Sequence, residues 1–110
     1  MKIYVGVRAV PGYQANVYVD GKLLDLASSK RDVYDYGSDM EWGYFGSGPS
    51  QTAAAILYDV TGSAVVAKRY HQAFKREFIA NFDQDGFTLL ELQVRSWLQE
   101  FQKSEEEDVW

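Results

Sequence analysis

Cysteine is absent from the 110 residues. That excludes disulfides, zinc–thiolate sites and a thiol nucleophile. There is one histidine, His71. Most histidine-based metal sites are thereby excluded, and any Ser-His-Asp triad depends on that single ring. No apolar run approaches the ~18 residues of a membrane span. No basic-then-apolar leader opens the chain, so the expected setting is cytoplasmic with no membrane partner. Acids outnumber bases 16 to 11, a balance that argues against general affinity for nucleic acid.

What is present describes a folded domain. Hydrophobic residues make up 46% and aromatics 15% of the chain, too apolar for disorder. The length suits one domain, expected over residues 1–103, with 104–110 as an acidic, frayed tail. Glu105, Glu106, Glu107 and Asp108 supply four of the sixteen acids. The remainder is nearly neutral, so the acidic total does not exclude a local anion site.

The first quarter alternates at period two. Ile3, Val5 and Val7 form one apolar face against Lys2, Tyr4, Gly6 and Arg8, which predicts a strand with Tyr4 on a half-wet side. Pro11-Gly12 marks a turn. Val17 and Val19 continue the alternation, and Asp20-Gly21 suits a type I′ turn because both residues tolerate positive φ. Leu23, Leu24 and Leu26 complete a three-strand meander. Ala27 to Arg31 reads as a polar turn, and Asp32 to Tyr36 as a short edge strand that would make a fourth.

From Pro49 the period becomes helical. Gly48-Pro49 reads as N-cap and first helical residue. Ala53, Ile56, Leu57 and Val60 follow at i, i+3, i+4 and i+7, and Thr61-Gly62 stops the helix. Ser63 caps a second helix reaching about Asn81, with Ala67, Tyr70, Phe74 and Phe78 as its stripe. Asp83 to Gly86 is a turn. Thr88-Leu89-Leu90-Glu91 fits a capping box, with Phe87 and Leu92 as a hydrophobic staple. Leu90, Val94, Trp97, Leu98 and Phe101 form a third amphipathic stripe. The expected fold class is therefore α+β: an N-terminal antiparallel meander against three C-terminal helices.

The densest run of unusual residues precedes the first helix. Trp42, Tyr44, Gly46, Ser47, Gly48, Ser50 and Gln51 place glycines, hydroxyls and aromatics at a helix N-terminus. Exposed amides there can hold an anion, and Trp42 or Tyr44 can stack on a base. The spacing matches neither a dinucleotide loop nor a P-loop. The plainer reading makes the glycines a sharp turn and puts Trp42 in the core.

Just upstream, Asp32, Asp35, Asp39 and Glu41 occur without a base, interleaved with Tyr34 and Tyr36. Aromatics rimmed by acids suit a protein interface. On the second helix Lys68, Arg69, Gln72, Lys75 and Arg76 share about 120° of the wheel, a solvent face unless it lies beside residues 46–50. His71 flanks the apolar stripe. Ser47, Ser50 and Asp59 are its only local partners for catalysis, and no nucleophile elbow surrounds either serine. No catalytic residues, metal ligands or cofactor emerge.

The run Glu41-Trp42-Gly43-Tyr44-Phe45-Gly46-Ser47-Gly48-Pro49-Ser50-Gln51-Thr52-Ala53-Ala54-Ala55-Ile56-Leu57 resembles the signature of a small family from phages, mobile elements and prokaryotic genomes. Its members share a Trp-Gly-Tyr-Gly-Gly-Ser-Gly-Pro-x-Gln block. Tyr4, Gly6, Arg8 and the Phe74-Lys75 pair extend the resemblance. Phe45 stands where the family usually has glycine, and Thr52 where leucine is common.

The resemblance implies no activity. It implies a phage-type accessory protein, often a non-enzymatic inhibitor of a host system. The leading expectation is thus binding to a protein partner, such as a host defence complex, through Asp32, Tyr34, Asp35, Tyr36, Asp39 and Glu41. The alternative is a small anionic ligand or nucleotide held by the Gly-Ser-Gly-Pro helix start. An exposed aromatic loop also permits a homodimer.

Overall fold

The computed structural model describes residues 1–8 and 15–108; the Pro11-Gly12 turn lies outside them. Strands β1 (Ile3–Val7), β2 (Asn16–Val19) and β3 (Lys22–Leu23) are followed by helices α1 (Leu26–Asp32), α2 (Ser47–Thr61) and α3 (Ala64–Glu77). A 3₁₀ turn (Ile79–Asn81), strand β4 (Gly86–Leu90) and helix α4 (Glu91–Asp108) complete the order. The sheet is antiparallel throughout, in the order β3-β2-β1-β4. The α+β class holds.

The β1–β2–β3 meander forms, but the face expected inside points out. Tyr4 is fully buried, whereas Ile3 is 44% and Val7 41% exposed. Parity alone cannot choose a side; the partner of each face does. Tyr4 buries its ring under α2 and donates from its hydroxyl to Asp59 Oδ2 at 2.5 Å, while Lys2 Nζ lies 3.1 Å from the same oxygen. Gly6 also faces inward, because the Phe87 ring occupies the place a Cβ would need. Asp20 and Gly21 take φ of 49° and 82°, as the type I′ turn requires.

Three further expectations fail for identifiable reasons. The third strand stops at Leu23, because Asp25 caps a helix: its carboxylate accepts from Ser28 N at 3.0 Å. Residues 27–31, expected as a polar turn, lie in α1, which ends at Asp32; 33–36, expected as an edge strand, form the irregular turn after it, so the described residues hold four helices rather than three. The capping box at Thr88 is a strand. Phe87 and Leu89 are buried and alternate with exposed Thr88 and Leu90, and Val5 pairs with Thr88 across the ladder. Leu92 is 52% exposed, so no staple forms with Phe87, whose ring packs on Trp42 and Phe82. The last helix starts at Glu91, where Glu91 Oε1 accepts from Lys2 N and Gln93 Oε1 from Leu90 N. Its helical path continues through Asp108.

The α2 helix is the structural axis. Every residue from Gly48 to Leu57 is buried, so this stretch is enclosed on all sides rather than along one stripe, with the polar Ser50, Gln51 and Thr52 among the buried residues. It starts two residues earlier than expected, with Gly46 as N-cap in an extended conformation. Pro49 therefore sits in the first turn, where the missing N–H has no intrahelical partner to lose. Its stop is as read: Gly62 is left-handed, and its N–H donates to Tyr58 O at 2.8 Å. Ser63 then caps α3 by accepting from Val66 N at 3.1 Å.

Candidate functional site

Two polar residues of the signature block, Ser50 and Gln51, face one corner, where α1, the turn after it, α2 and α3 meet. Gln51 is fully buried in the first half of α2. Its Oε1 accepts from Tyr36 N at 2.9 Å, while its Nε2 donates to Tyr34 O at 3.0 Å and to Ser29 Oγ at 3.1 Å. One amide thus grips the backbone on both sides of Asp35 and satisfies groups that burial would otherwise strand.

Above Gln51, Tyr36 is tied to α3. Its hydroxyl lies 2.6 Å from His71 Nε2 and accepts from Gln72 Nε2 at 2.6 Å. The other ring nitrogen of His71 faces the carbonyls of Ala67 at 2.7 Å and Lys68 at 3.1 Å. Two acceptors at Nδ1 place the proton there, so Nε2 is the bare acceptor for the tyrosine. Burial pushes the His71 pKa below its ordinary value, and the Lys75 charge adds to the shift; the two carbonyls act the opposite way. Both nitrogens are engaged, and the Ser50 hydroxyl donates elsewhere, to Gly46 O at 3.0 Å.

This grip decides which of the acidic and aromatic residues face outward. The Tyr34 ring stacks obliquely on Tyr36, centroids 4.5 Å apart, and remains 57% exposed. Asp35 is exposed and accepts from Gly37 N at 2.8 Å, forming the local turn with Gly37 at φ 70°. Asp39 is exposed. The remaining members of the expected interface serve internal contacts. Asp32 pairs with Arg31 and accepts from Tyr58 at 2.8 Å, both of which hold its pKa down. Glu41 pairs with both terminal nitrogens of Arg8, and its backbone N–H donates to Thr52 Oγ1. Tyr36 is half-buried as described.

The expected ligand residues divide in the same way. Trp42 is fully buried, its ring between the Arg8 guanidinium at 5.1 Å and the edge-on ring of Phe87 at 5.0 Å, so it is core and not a stacking platform. Gly48 is buried, and a Cβ there would lie 2.6 Å from Glu41 Cβ. Gly46 packs under the ring of Tyr44. These glycines permit close packing of the loop, as the plainer reading had it. Gln51 is the clamp and not a ligand contact. Tyr44, Phe45 and Ser47 remain exposed.

Two residues of the predicted basic face of α3, Gln72 and Lys75, reach this loop. Lys75 Nζ is 3.1 Å from Ser50 Oγ, and Gln72 Nε2 is 3.3 Å from it. Burial and the neighbouring Arg76 charge lower the Lys75 pKa. Arg69 pairs with Glu105 at 3.7 Å. Among the described residues no group of three or more His, Asp or Glu side chains could hold a metal ion. No described helix is long and apolar enough to cross a membrane.

Fold and site together define a small α+β domain in which a buried glutamine on the central helix positions an exposed tyrosine–aspartate turn. The chain belongs to the DUF6166 family, a family of unknown function whose model matches residues 4–100. Neither the curated proteins nor the solved structures contain a significant match.

Proposed function

We propose that the protein acts by binding rather than by catalysis, as an accessory protein that engages a protein partner through the turn at Tyr34, Asp35 and Asp39. The observation that carries this reading is the clamp beneath the turn. An exposed aromatic side chain is a strong anchor when its position is fixed before contact, because little ordering entropy remains to be lost. Gln51 and His71 fix Tyr34 and Tyr36 in that sense. The acids around the anchor favour a partner with a basic surface. In the phage setting that the signature resemblance implies, such a partner is a component of a host defence complex.

The test is capture from the native host with the wild-type chain and with Tyr34→Ala and Asp35→Lys/Asp39→Lys variants. A specific partner should be held by wild type, lost by both variants, and released more readily as salt rises. Equal capture by all three proteins would remove this surface from the reading.

A second reading is favoured by one contact. The Lys75–Ser50 approach places a cation, without a carboxylate partner among the described residues, beside the exposed Tyr44 and Phe45 loop. It supports a small anionic ligand such as a nucleotide. Thermal-shift screening decides it: a ligand at 100 times its Kd adds about 2.7 kcal/mol, and Lys75→Ala should abolish the shift.

A further inference from the structure

One amine at the corner of α2 and α3 is held in an unusual way. The ion pairs among the described residues are made by other bases, and Lys75 meets no carboxylate. It is half-buried. Its Nζ lies 3.1 Å from the Ser50 hydroxyl, which is almost fully buried. That hydroxyl donates its own proton to Gly46 O, so towards the amine it acts as an acceptor. The charge that acts on Lys75 is the neighbouring cation of Arg76, and Lys75 in turn acts on His71 one turn back.

An ammonium group needs water or an opposite charge around it. Here both are short, and a like charge stands beside it. The neutral amine fits better: it keeps one N–H for Ser50 and leaves its lone pair free. Burial and Arg76 accordingly lower the Lys75 pKa. Desolvation and an adjacent cation are the two means by which a lysine becomes a nucleophile near neutral pH.

We propose that Lys75 is a modification site, an acyl-acceptor lysine that reacts directly with an acyl phosphate. The lone pair of neutral Nζ attacks the carbonyl carbon of the donor. An N–C bond forms as the C–O bond to phosphate breaks. Phosphate leaves with that electron pair, and the surplus amine proton passes to water. An anionic donor suits an amine with no carboxylate beside it. The product is a neutral amide, so the corner loses its cation. An anion held by Lys75 would then be released; this last consequence rests on the second reading above, whereas the acylation itself does not.

The test treats the full chain with acetyl phosphate at neutral pH and times acetylation of each lysine by peptide mass spectrometry. An ordinary lysine is almost wholly protonated there, and each unit of lowered pKa gives about ten times more free amine. Lys75 should therefore react several times faster than Lys22, Lys68 and Lys103, which are all more exposed. In denaturing urea the preference should vanish, because the fold creates it. Arg76→Glu, at an exposed position, exchanges the repelling cation for a carboxylate. It should slow Lys75 at least about threefold and leave the other lysines unchanged. Gln72→Glu sets a carboxylate one turn from the amine and should act in the same direction. Equal rates at the four lysines overturn the proposal. So does a preference that survives urea, or a Lys75 rate that neither variant changes. The reaction needs no protein partner, so capture through the Tyr34 turn is scored separately.

Discussion

The Tyr36 hydroxyl donates to His71 Nε2 across 2.6 Å, joining the turn after α1 to the middle of α3. That bond requires an unprotonated Nε2. Because the folded-state pKa of His71 is lowered from 6.5, the unfolded chain binds the proton more tightly. The contribution is fully present above about pH 6.5 and is lost as pH falls from there towards the folded-state value. Urea titrations between pH 7.5 and 5 should show stability declining over that window. A His71→Gln variant should show a shallower slope. An identical slope would mean that His71 does not titrate with folding.

Gln51→Ala removes the amide that bonds Tyr36 N, Tyr34 O and Ser29 Oγ. With the clamp gone, buried backbone groups lose their partners, at about 1–3 kcal/mol each where water cannot replace them. The expected loss is about 2–4 kcal/mol by urea unfolding, with faster amide exchange at residues 34–37. Stability within about 0.5 kcal/mol of wild type would show that the clamp is dispensable.

Thr88→Ala separates two structures for one sequence. As an N-cap, Thr88 would lose about 1 kcal/mol on truncation. As an exposed residue of β4 it should lose less than about 0.5 kcal/mol. Chemical denaturation of the single variant distinguishes them.

Gly48→Ala should cost about 1–3 kcal/mol, because the new methyl meets Glu41 Cβ at 2.6 Å and the Tyr44 hydroxyl at 3.0 Å. Gly62→Ala has open space around it, and its cost of about 1 kcal/mol comes from φ of 66° alone. The two losses have different origins. A flexible Gly48 loop would reverse their order in paired thermal melts.

Local chemistry was legible wherever a residue's own backbone decides the outcome. Asp20-Gly21, Gly62 and Ser63 act as their types dictate, and the stripes of α3 and α4 follow their period except at Leu90, which lies exposed in β4. Features decided by distant partners were not legible. Ile3, Val5 and Val7 fit a core face as well as Tyr4 and Gly6 do, until Asp59 and Phe87 claim the latter pair. Thr88 to Glu91 carries a genuine helix-start pattern, overridden by pairing with β1. Within the site, the acid–aromatic composition singled out the turn that is proposed above as the interface. It could not show that Asp32 and Glu41 serve Arg31 and Arg8, nor that Gln51 holds the turn from below. The one signal for Gln51 was its place in the signature block.

The pairing of β1 with β4 carries a temporal consequence. Lys2 O accepts from Glu91 N, and Ile3 lies beside Leu90, so the first strand has its second neighbour at almost the other end of the chain. On a ribosome, β1 and β2 can meet once about twenty residues have emerged. The far edge of β1 then waits for β4, roughly 4–14 s at ordinary synthesis rates of about 5–20 residues per second. During that interval an apolar strand with unpaired amides is open to other chains. The nascent protein is most vulnerable to aggregation before its final helix exists, and substitutions that slow β4 pairing should first appear as lower soluble yield.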